Sequence, residues 1–272
     1  MTKMRRRNPP RKFIDAMGAA LAVAMWWTAA AQAADCPRKG TLGTSRVLAV
    51  DAAATPRVGL KNYPQTLPLG DHEVVLTFDD GPWPPTTPKV LSALAQECVH
   101  ATFFLIGKPA SEHPDLVRRI AAEGHTIGHH TWTHRSLERI PPGETTGEID
   151  RGISADEMAL YGTATTTPST PFFRFPGFET TPATLELLQS RGIVVFGTDL
   201  WAGDWNKMTP AHELKLITDR LKIARKGIIL FHDPKARTAA MLPAFLRYLR
   251  DNDYRIVHLV PTGPGVGFDG VL

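Results

Sequence analysis

Short apolar runs alternate with longer amphipathic stretches over most of the chain, from Glu73 to Leu259. The runs predict strands, whereas the stretches repeat their apolar residues at helical spacing. Regular alternation of this kind predicts an α/β fold in which helices cover a parallel sheet. Seven strands favour closure into a barrel over a two-layer sandwich. The predicted strands are Val74–Phe78, Ala101–Ile106, Thr126–Gly128, Phe172–Phe175, Ile193–Thr198, Gly227–Phe231 and Arg255–Leu259, and the predicted helices are Thr87–Glu97, Pro114–Glu123, Glu144–Tyr161, Pro182–Arg191, Ala211–Ala224 and Ala239–Arg250.

The first 33 residues are typical of a secretory signal peptide. A basic segment ends at Lys12, an apolar run extends from Ala16 to about Ala30, and Ala31-Gln32-Ala33 forms a small-x-small cleavage site. The alternative is an uncleaved membrane anchor, but the apolar run is short for a transmembrane span. Removing residues 1–33 takes six of the 31 basic and one of the 27 acidic residues, which leaves 25 against 26. The basic character of the whole sequence therefore belongs to the leader, and it gives no support for nucleic-acid binding.

The chain after the leader has three predicted parts, which are an extension over residues 34–70, an α/β domain over 71–262 and a tail over 263–272. We expect an exported, periplasmic or secreted protein without a stable membrane anchor. Its two cysteines, Cys36 and Cys98, can form a disulfide in an oxidising compartment, although two unpaired thiols are the alternative. Neither a dinucleotide-binding glycine motif nor a phosphate loop is present, which disfavours nucleotide binding.

Polar side chains follow five of the predicted strands at the point where each strand ends. In parallel barrels these ends meet at one mouth, where the residues that perform the chemistry lie. Acids, imidazoles and one arginine are therefore predicted to converge on a single site. The set comprises Asp79 and Asp80 after the first strand, His129, His130 and His134 after the third, Arg174 near the fourth, Asp199 and Asp204 after the fifth, and His232 and Asp233 after the sixth.

The adjacent carboxylates of Asp79 and Asp80 repel each other unless a cation or a shared proton relieves the repulsion. His130 and His134 are four residues apart, and on a helical turn both imidazoles would point the same way. Two imidazoles and one carboxylate are a usual zinc-binding set that leaves a position open for water. One Asp can then bind the metal while the other accepts a proton from the bound water. The spacing alone leaves the two acids interchangeable in these roles.

Five ordered motifs give the chain a specific resemblance to one family. They are Thr77-Phe78-Asp79-Asp80-Gly81, His130-Thr131-Trp132-Thr133-His134, Arg174-Phe175-Pro176, Asp204-Trp205 and Leu230-Phe231-His232. In this order they resemble the NodB-homology polysaccharide deacetylases, carbohydrate esterase family 4. The resemblance extends from about Val74 to Val260, and it implies a distorted (β/α) barrel.

The resemblance implies a role for each matching residue at the reaction centre. Asp79 would be the general base, and Asp80, His130 and His134 would hold a divalent metal ion. That ion is usually zinc, and the same donor set accepts cobalt or nickel. His232 would be the general acid that protonates the leaving amine.

Further residues of the motifs would shape the pocket around this centre. Leu230 would line the space for the acetyl methyl group, and Trp205 would form an apolar wall, although a core position for Trp205 is the alternative. Pro176 is followed by Gly177, where the family usually has Tyr or another large residue. The backbone N–H of Gly177 would still serve the oxyanion, with an altered wall of the cleft.

The support of the base is ambiguous in the sequence. Arg174 would orient Asp79, and a second acid would hold Arg174. Asp199 and Asp204 are five residues apart, wider than the common family spacing, and we assign this support to Asp204 because Trp205 follows it. The role of one further histidine stays open, and a second is structural. His129 stands where Asn is common and is either near the metal or merely packed, and His125 lies at a helix-to-strand turn.

We therefore expect a metal-dependent enzyme that removes N-acetyl groups from an acetylated glycan containing N-acetylglucosamine, of the chitooligosaccharide or peptidoglycan type. A close alternative is an O-acetyl esterase acting on acetylated xylan. A carbohydrate-binding protein with an inactive site is a third reading. The intact set of Asp79, Asp80, His130, His134 and His232 argues against it.

Overall fold

A computed structural model describes residues 38–262 of the 272-residue chain. The predicted signal peptide over residues 1–33, Cys36 and the tail over 263–272 lie outside the described residues. No helix within residues 38–262 is both long enough and apolar enough to cross a membrane.

Ten strands form one sheet in the described part of the chain, and every pair of neighbouring strands is parallel. The seven predicted strands are all present, which confirms the α/β prediction. Three further strands were not predicted, and two of these lie in the predicted extension. The strands are β1 (Thr44–Val50), β2 (Arg57–Val58), β3 (Glu73–Asp79), β4 (Thr102–Leu105), β5 (Thr126–His129), β6 (Phe172–Phe173), β7 (Val194–Phe196), β8 (Leu200–Trp201), β9 (Gly227–His232) and β10 (Arg255–Pro261).

The strand order turns back on itself as in a barrel. From β9 it passes through β3, β4, β5 and β6 to β7, and β8 then pairs with β9 again. Residues 197–199 join β7 to β8 without strand pairing of their own, so the barrel is distorted at this point. The strand β10 pairs with the first residues of β3, while β1 pairs with β10 and β2 pairs with β7. The extension thus adds two strands to the sheet.

Seven helices connect the strands of the described chain. Six correspond to the predicted ones, and the short α2 was not predicted. Proline at the start of α3, α5 and α6 suits the first helical turn, where its missing N–H has no partner to lose. The helices are α1 (Thr87–Gln96), α2 (Gly107–Glu112), α3 (Pro114–Ala122), α4 (Pro142–Tyr161), α5 (Pro182–Ser190), α6 (Pro210–Ala224) and α7 (Ala236–Asp251).

Successive side chains along β3 alternate between the outer and the inner face of the barrel. Leu76 and Phe78 point to the outer cluster that packs against α1, α3, α6 and α7. Val75 points to the inner cluster, and because successive side chains in a strand alternate faces, Thr77 and Asp79 share its side. Asp79 is therefore carried on the inner face at the carboxyl end of the strand, where parallel barrels place their chemistry.

Candidate active site

Three side chains at the ends of β3 and β5 form a candidate metal centre. One ligand atom from each of Asp80, His130 and His134 lies within 4.8 Å of the others. The Oδ1 atom of Asp80 lies 3.5 Å from Nε2 of His130 and 3.2 Å from Nε2 of His134. This oxygen is buried and has no hydrogen-bond partner among the described residues. Two imidazole nitrogens around an unsatisfied carboxylate oxygen fit a divalent cation such as zinc.

The tautomer of His130 is set by the backbone. Its Nδ1–H donates to the carbonyl oxygen of Arg174 at 2.7 Å, so the lone pair of Nε2 faces Asp80. A metal-binding histidine commonly donates its other ring N–H in this way, which fixes the ring orientation. The main chain just after β6 thus orients His130 as a ligand.

The segment between His130 and His134 is a loop, and the predicted helical turn is wrong. Thr131 and His134 both adopt left-handed backbone angles, with φ of 68° and 60°, which a continuous right-handed helix does not allow. The loop is held from α4, where the carboxylate of Glu148 accepts both the backbone N–H and the hydroxyl of Thr133, at 2.9 and 2.8 Å. Gly152 permits the approach, because a Cβ there would lie 2.5 Å from the carbonyl carbon of Thr131. Packing therefore brings the imidazoles together where local periodicity does not.

Asp79 is bound by a fully buried arginine. Nη1 of Arg174 donates to Oδ1 of Asp79 at 2.7 Å and to the hydroxyl of Thr77 at 2.8 Å. The other guanidinium nitrogens donate to the carbonyl oxygens of Phe196 and Gly197, at 3.3 and 2.9 Å. Oδ2 of Asp79 lies 4.0 Å from Nε2 of His130. One carboxylate oxygen of Asp79 is therefore fixed by Arg174, and the other faces the candidate metal centre.

Asp204 does not hold Arg174, which corrects the prediction. Its Oδ1 atom lies 2.8 Å from Nδ1 of His232, and its Oδ2 atom accepts the backbone N–H of His232 at 2.7 Å. The reason is the position of β8, which pairs with β9 and carries the following turn to the end of that strand. Asp199 does not bond Arg174 either, because its carboxylate accepts hydrogen bonds from Leu60, Thr66 and Ile228. Backbone carbonyls take the place of the predicted supporting acid.

Asp204 changes the acidity of His232. Burial alone lowers the pKa of this imidazole, but the hydrogen bond to Asp204 and the negative charges of Asp204, Asp79 and Asp80 raise the pKa to about 9. His232 is therefore protonated at neutral pH and can donate a proton. Its Cα atom is the partner of Asp79 in the pairing of β9 with β3, so His232 and Asp79 lie side by side at the same mouth.

A further buried acid lies behind Asp204. The hydroxyl of Thr238 is 2.8 Å from Oδ2 of Asp204 and 3.0 Å from Oε1 of Glu213. One hydroxyl proton cannot be donated to both carboxyl groups, but burial raises the pKa of Glu213 to about 7. Protonated Glu213 can donate to Thr238, which then donates to Asp204. Sequence reasoning missed this series of hydrogen bonds, because nothing in the spacing of Asp204, Glu213 and Thr238 indicates it.

Comparisons with known proteins agree with this geometry. A family model described as polysaccharide deacetylase matches residues 67–196. The peptidoglycan-N-acetylglucosamine deacetylase of Bacillus cereus is 35% identical over 191 residues, which cover 66% of each chain. A solved family 4 carbohydrate esterase from Streptomyces lividans, in complex with acetate, is 30% identical with a TM-score of 0.57, and the match covers 70% of this chain and 92% of that one. This chain belongs to the polysaccharide deacetylase family.

A second solved structure extends the likeness over more of the fold. The peptidoglycan deacetylase Bd3279 of Bdellovibrio bacteriovorus has a TM-score of 0.73 and 28% identity, covering 88% of this chain and 66% of that one. The first curated relatives, which include chitooligosaccharide deacetylases, are matched over 30% to 66% of their own length. The predicted family and its barrel fold are confirmed.

The third motif of this chain ends differently from the family pattern. Pro176 is buried and opens a short 3-10 segment, whereas Gly177 is exposed with a φ of 59°. The aromatic ring comes one residue later, in Phe178, which also has a positive φ of 60° and lies 5.9 Å from the guanidinium carbon of Arg174. The sequence signal for Phe178 is an aromatic residue displaced by one position from the family pattern.

Two residues predicted to shape the pocket lie near His232. Leu230 is buried on the same face of β9, two residues before it. The ring of Trp205 lies edge-on to His232 with 5.9 Å between centroids, and 48% of Trp205 is exposed. This exposure excludes the core position for Trp205.

Two acids and one histidine near the mouth serve the packing. Nδ1 of His129 lies 2.7 Å from Oδ2 of Asp156 on α4, with both side chains buried. His129 is not among the three residues whose ligand atoms converge. Burial raises the pKa of Asp156 to about 6. Asp233 is hydrogen-bonded by the hydroxyl of Thr87, and burial raises its pKa to about 7. His125 accepts the backbone N–H of Ala101 at 3.1 Å, away from the mouth.

Proposed function

We propose that this chain is a metal-dependent hydrolase that removes N-acetyl groups from N-acetylglucosamine residues of a polysaccharide or oligosaccharide. The observation that carries the proposal is the convergence of Asp80, His130 and His134 beside the carboxylate of Asp79. One oxygen of this carboxylate is fixed by Arg174, and the other faces the three ligands. The family supports the same reaction, since its named members are deacetylases of peptidoglycan and of chitooligosaccharides.

In this proposal Asp80, His130 and His134 hold the ion, and zinc is the ion we favour. A divalent ion bound there would lower the pKa of a water molecule and polarise the acetamide carbonyl. Asp79 accepts the proton of the attacking water through the oxygen that Arg174 leaves free. The backbone N–H of Gly177 donates a hydrogen bond that stabilises the negative charge developing on the carbonyl oxygen.

His232 donates the proton that the leaving amine requires. Breaking an amide C–N bond needs protonation of nitrogen, and the contact with Asp204 keeps His232 protonated at neutral pH. An ester has a better leaving group and depends less on such an acid. The raised pKa of His232 therefore favours N-deacetylation over the alternative, which is O-deacetylation of acetylated xylan.

Acetate release decides between these activities. The protein is dialysed against a chelator, reloaded with zinc, cobalt or nickel, and incubated with N-acetylglucosamine oligomers, peptidoglycan or acetylated xylan. We expect metal-dependent release from the first two substrates and little from xylan. Release from xylan alone would establish the esterase, and no release with any metal would favour an inactive carbohydrate-binding protein.

We also propose that residues 1–33 direct export of the chain and are removed by cleavage behind Ala33. Cys36 and Cys98 then pair. The basic and apolar segments at the start of the sequence support this proposal. Intact-mass measurement of the protein recovered from outside the cytoplasm tests both parts. A chain that still carries residues 1–33, or one whose mass rises on thiol alkylation without reduction, would contradict them.

A further inference from the structure

A band of aromatic rings leads away from the proposed general acid. The ring of Trp205 lies 5.9 Å from that of His232 and 6.0 Å from that of Trp201, edge-on in both cases. Trp205 follows β8 and Trp201 ends it, so the band leaves the mouth and passes down the flank of the barrel beside β9.

The band ends at a cavity of about 250 Å³ between β8 and the end of α6. Leu200, Trp201 and Ile223 give this cavity an apolar wall, and Ile223 is 86% exposed. Leu60, in the neighbouring loop, is also exposed. Exposed apolar side chains that adjoin one another and are rimmed by polar residues mark binding surfaces in soluble proteins.

Two cations border the cavity next to the tryptophan. Nζ of Lys61 lies 5.2 Å from the ring centroid of Trp201, and the guanidinium carbon of Arg220 lies 5.9 Å from it. Nη1 of Arg220 donates to the carbonyl oxygen of Trp201 at 2.6 Å, which holds the guanidinium in place. No carboxylate within residues 38–262 lies within ion-pair distance of Lys61 or Arg220.

The one acid among the residues that line the cavity, Asp199, makes its hydrogen bonds to the backbone and to a threonine and not to either cation. Asp199 accepts hydrogen bonds from the backbone N–H groups of Leu60 and Ile228 and from the hydroxyl of Thr66, at 2.7 to 2.8 Å. Its carboxylate is therefore engaged with the fold. The cavity presents an aromatic and aliphatic surface with two unpaired cations to an incoming ligand.

We propose that Trp205, Trp201 and this cavity form an extended glycan-binding subsite that takes an acidic group of the substrate. The apolar faces of sugar rings suit the tryptophans, and a carboxylate is the group that Lys61 and Arg220 would bind. The proposal rests on the proposed function and makes it more specific. The preferred substrate is an acetylated glycan with carboxylate substituents, of the peptidoglycan type, and not a neutral oligomer of N-acetylglucosamine.

The test compares one acidic and one neutral substrate in matched charge variants. Lys61→Glu reverses a charge at the cavity, and Lys89→Glu reverses one on the exposed side of α1 as the control. Acetate release is measured on soluble peptidoglycan strands and on an N-acetylglucosamine hexamer. We expect Lys61→Glu to raise KM for the peptidoglycan strands by roughly three- to tenfold relative to KM for the hexamer, with kcat little changed. Lys89→Glu should leave this ratio as in the wild type.

Direct measurement of binding distinguishes failure of the proposed subsite from failure of the proposed function. The same strands are titrated into wild type, Lys61→Glu and Trp201→Ala, with folding checked by thermal unfolding. If no substrate releases acetate but binding still weakens in both variants, the proposed function fails and the subsite stands. If acetate is released and the ratio of KM values is the same in Lys61→Glu, Lys89→Glu and wild type, the subsite is wrong. An equal rise of KM for both substrates also overturns the preference for acidic glycans.

Discussion

The carboxylate of Asp204 holds His232 at two points, through Nδ1 at 2.8 Å and through the backbone N–H at 2.7 Å. One contact sets the charge of the imidazole, and the other fixes the end of the strand that carries it. Asp204, which the sequence analysis assigned to Arg174, therefore supports His232 instead. Its effect on pH dependence is the most direct consequence of the structure.

Replacing Asp204 by Asn should move the basic limb of the pH profile to lower pH. The hydrogen bond to Asp204 and its charge are the largest influences that raise the pKa of His232 to about 9, against the effect of burial. Without the charge, the imidazole loses its proton at lower pH and stops acting as an acid. We expect a shift of about 1 to 2 pH units in the basic limb of kcat. A basic limb that stays at the wild-type position would mean that another group donates the proton.

The same interaction has a consequence for stability in the metal-free protein. The folded pKa of His232, about 9, lies above its ordinary value of 6.5. Its stabilising contribution is therefore fully present below pH 6.5 and is lost as the pH rises through about 9. The difference in Tm between wild type and Asp204→Asn should narrow over this interval. A constant difference would show that Asp204 acts by packing alone.

Glu213 should tolerate replacement by Gln, since the acid is needed in its neutral form. Burial raises its pKa to about 7 from an ordinary 4.5, so the protonated form is favoured in the fold and the contribution of protonation is lost as the pH rises from about 4.5 through about 7. Gln can donate to Thr238 at every pH. The stability of Glu213→Gln relative to wild type should therefore rise over this interval by on the order of 2 kcal/mol. Urea unfolding at pH 5 and pH 8 measures it, and a pH-independent difference would contradict the protonated chain.

The metal content of variants should distinguish the role of Asp80 from that of Asp79. Asp80→Asn, His130→Ala and His134→Ala each remove one of the three converging donors, so the bound metal should fall well below one equivalent after dialysis. Asp79→Asn should keep the metal and lose about 10²- to 10⁴-fold in kcat, as expected when a general base is removed. Elemental analysis of the dialysed variants reads out the metal. Metal loss in Asp79→Asn with retention in Asp80→Asn would reverse the two roles.

The fold was predictable from the sequence wherever a pattern repeats. Apolar runs such as Val74–Phe78 are buried on both faces, so they stand out without any knowledge of their neighbours. The two-residue strand β8 has no such pattern, because its pairing with β9 comes from the path of the chain around the barrel. The partner of Asp204 could not be predicted for the same reason, since Asp204 reaches His232 because β8 lies beside β9.

The site was predictable in its members but not in its contacts. The motifs named Asp80, His130 and His134, and the structure brings them together. The local path between the two histidines was wrong, since left-handed angles at Thr131 and His134 depend on packing against α4. In the same way, the pairing of His129 with Asp156 joins residues from a strand and a helix, and no spacing rule indicates it.

Removing the side chain of Arg174 should damage stability and turnover while sparing the metal. The guanidinium is buried against Asp79, so Arg174→Met leaves an unpaired buried carboxylate at a cost of about 3 to 5 kcal/mol. His130 is held by the backbone carbonyl of residue 174, not by its side chain, so metal content should remain close to wild type. The double variant Arg174→Met with Asp79→Leu removes both charges and should recover part of the lost stability, which thermal unfolding of the four proteins measures as a coupling. Additive losses in the double variant, or loss of metal in Arg174→Met, would show that the arginine side chain shapes the whole mouth and not the position of Asp79.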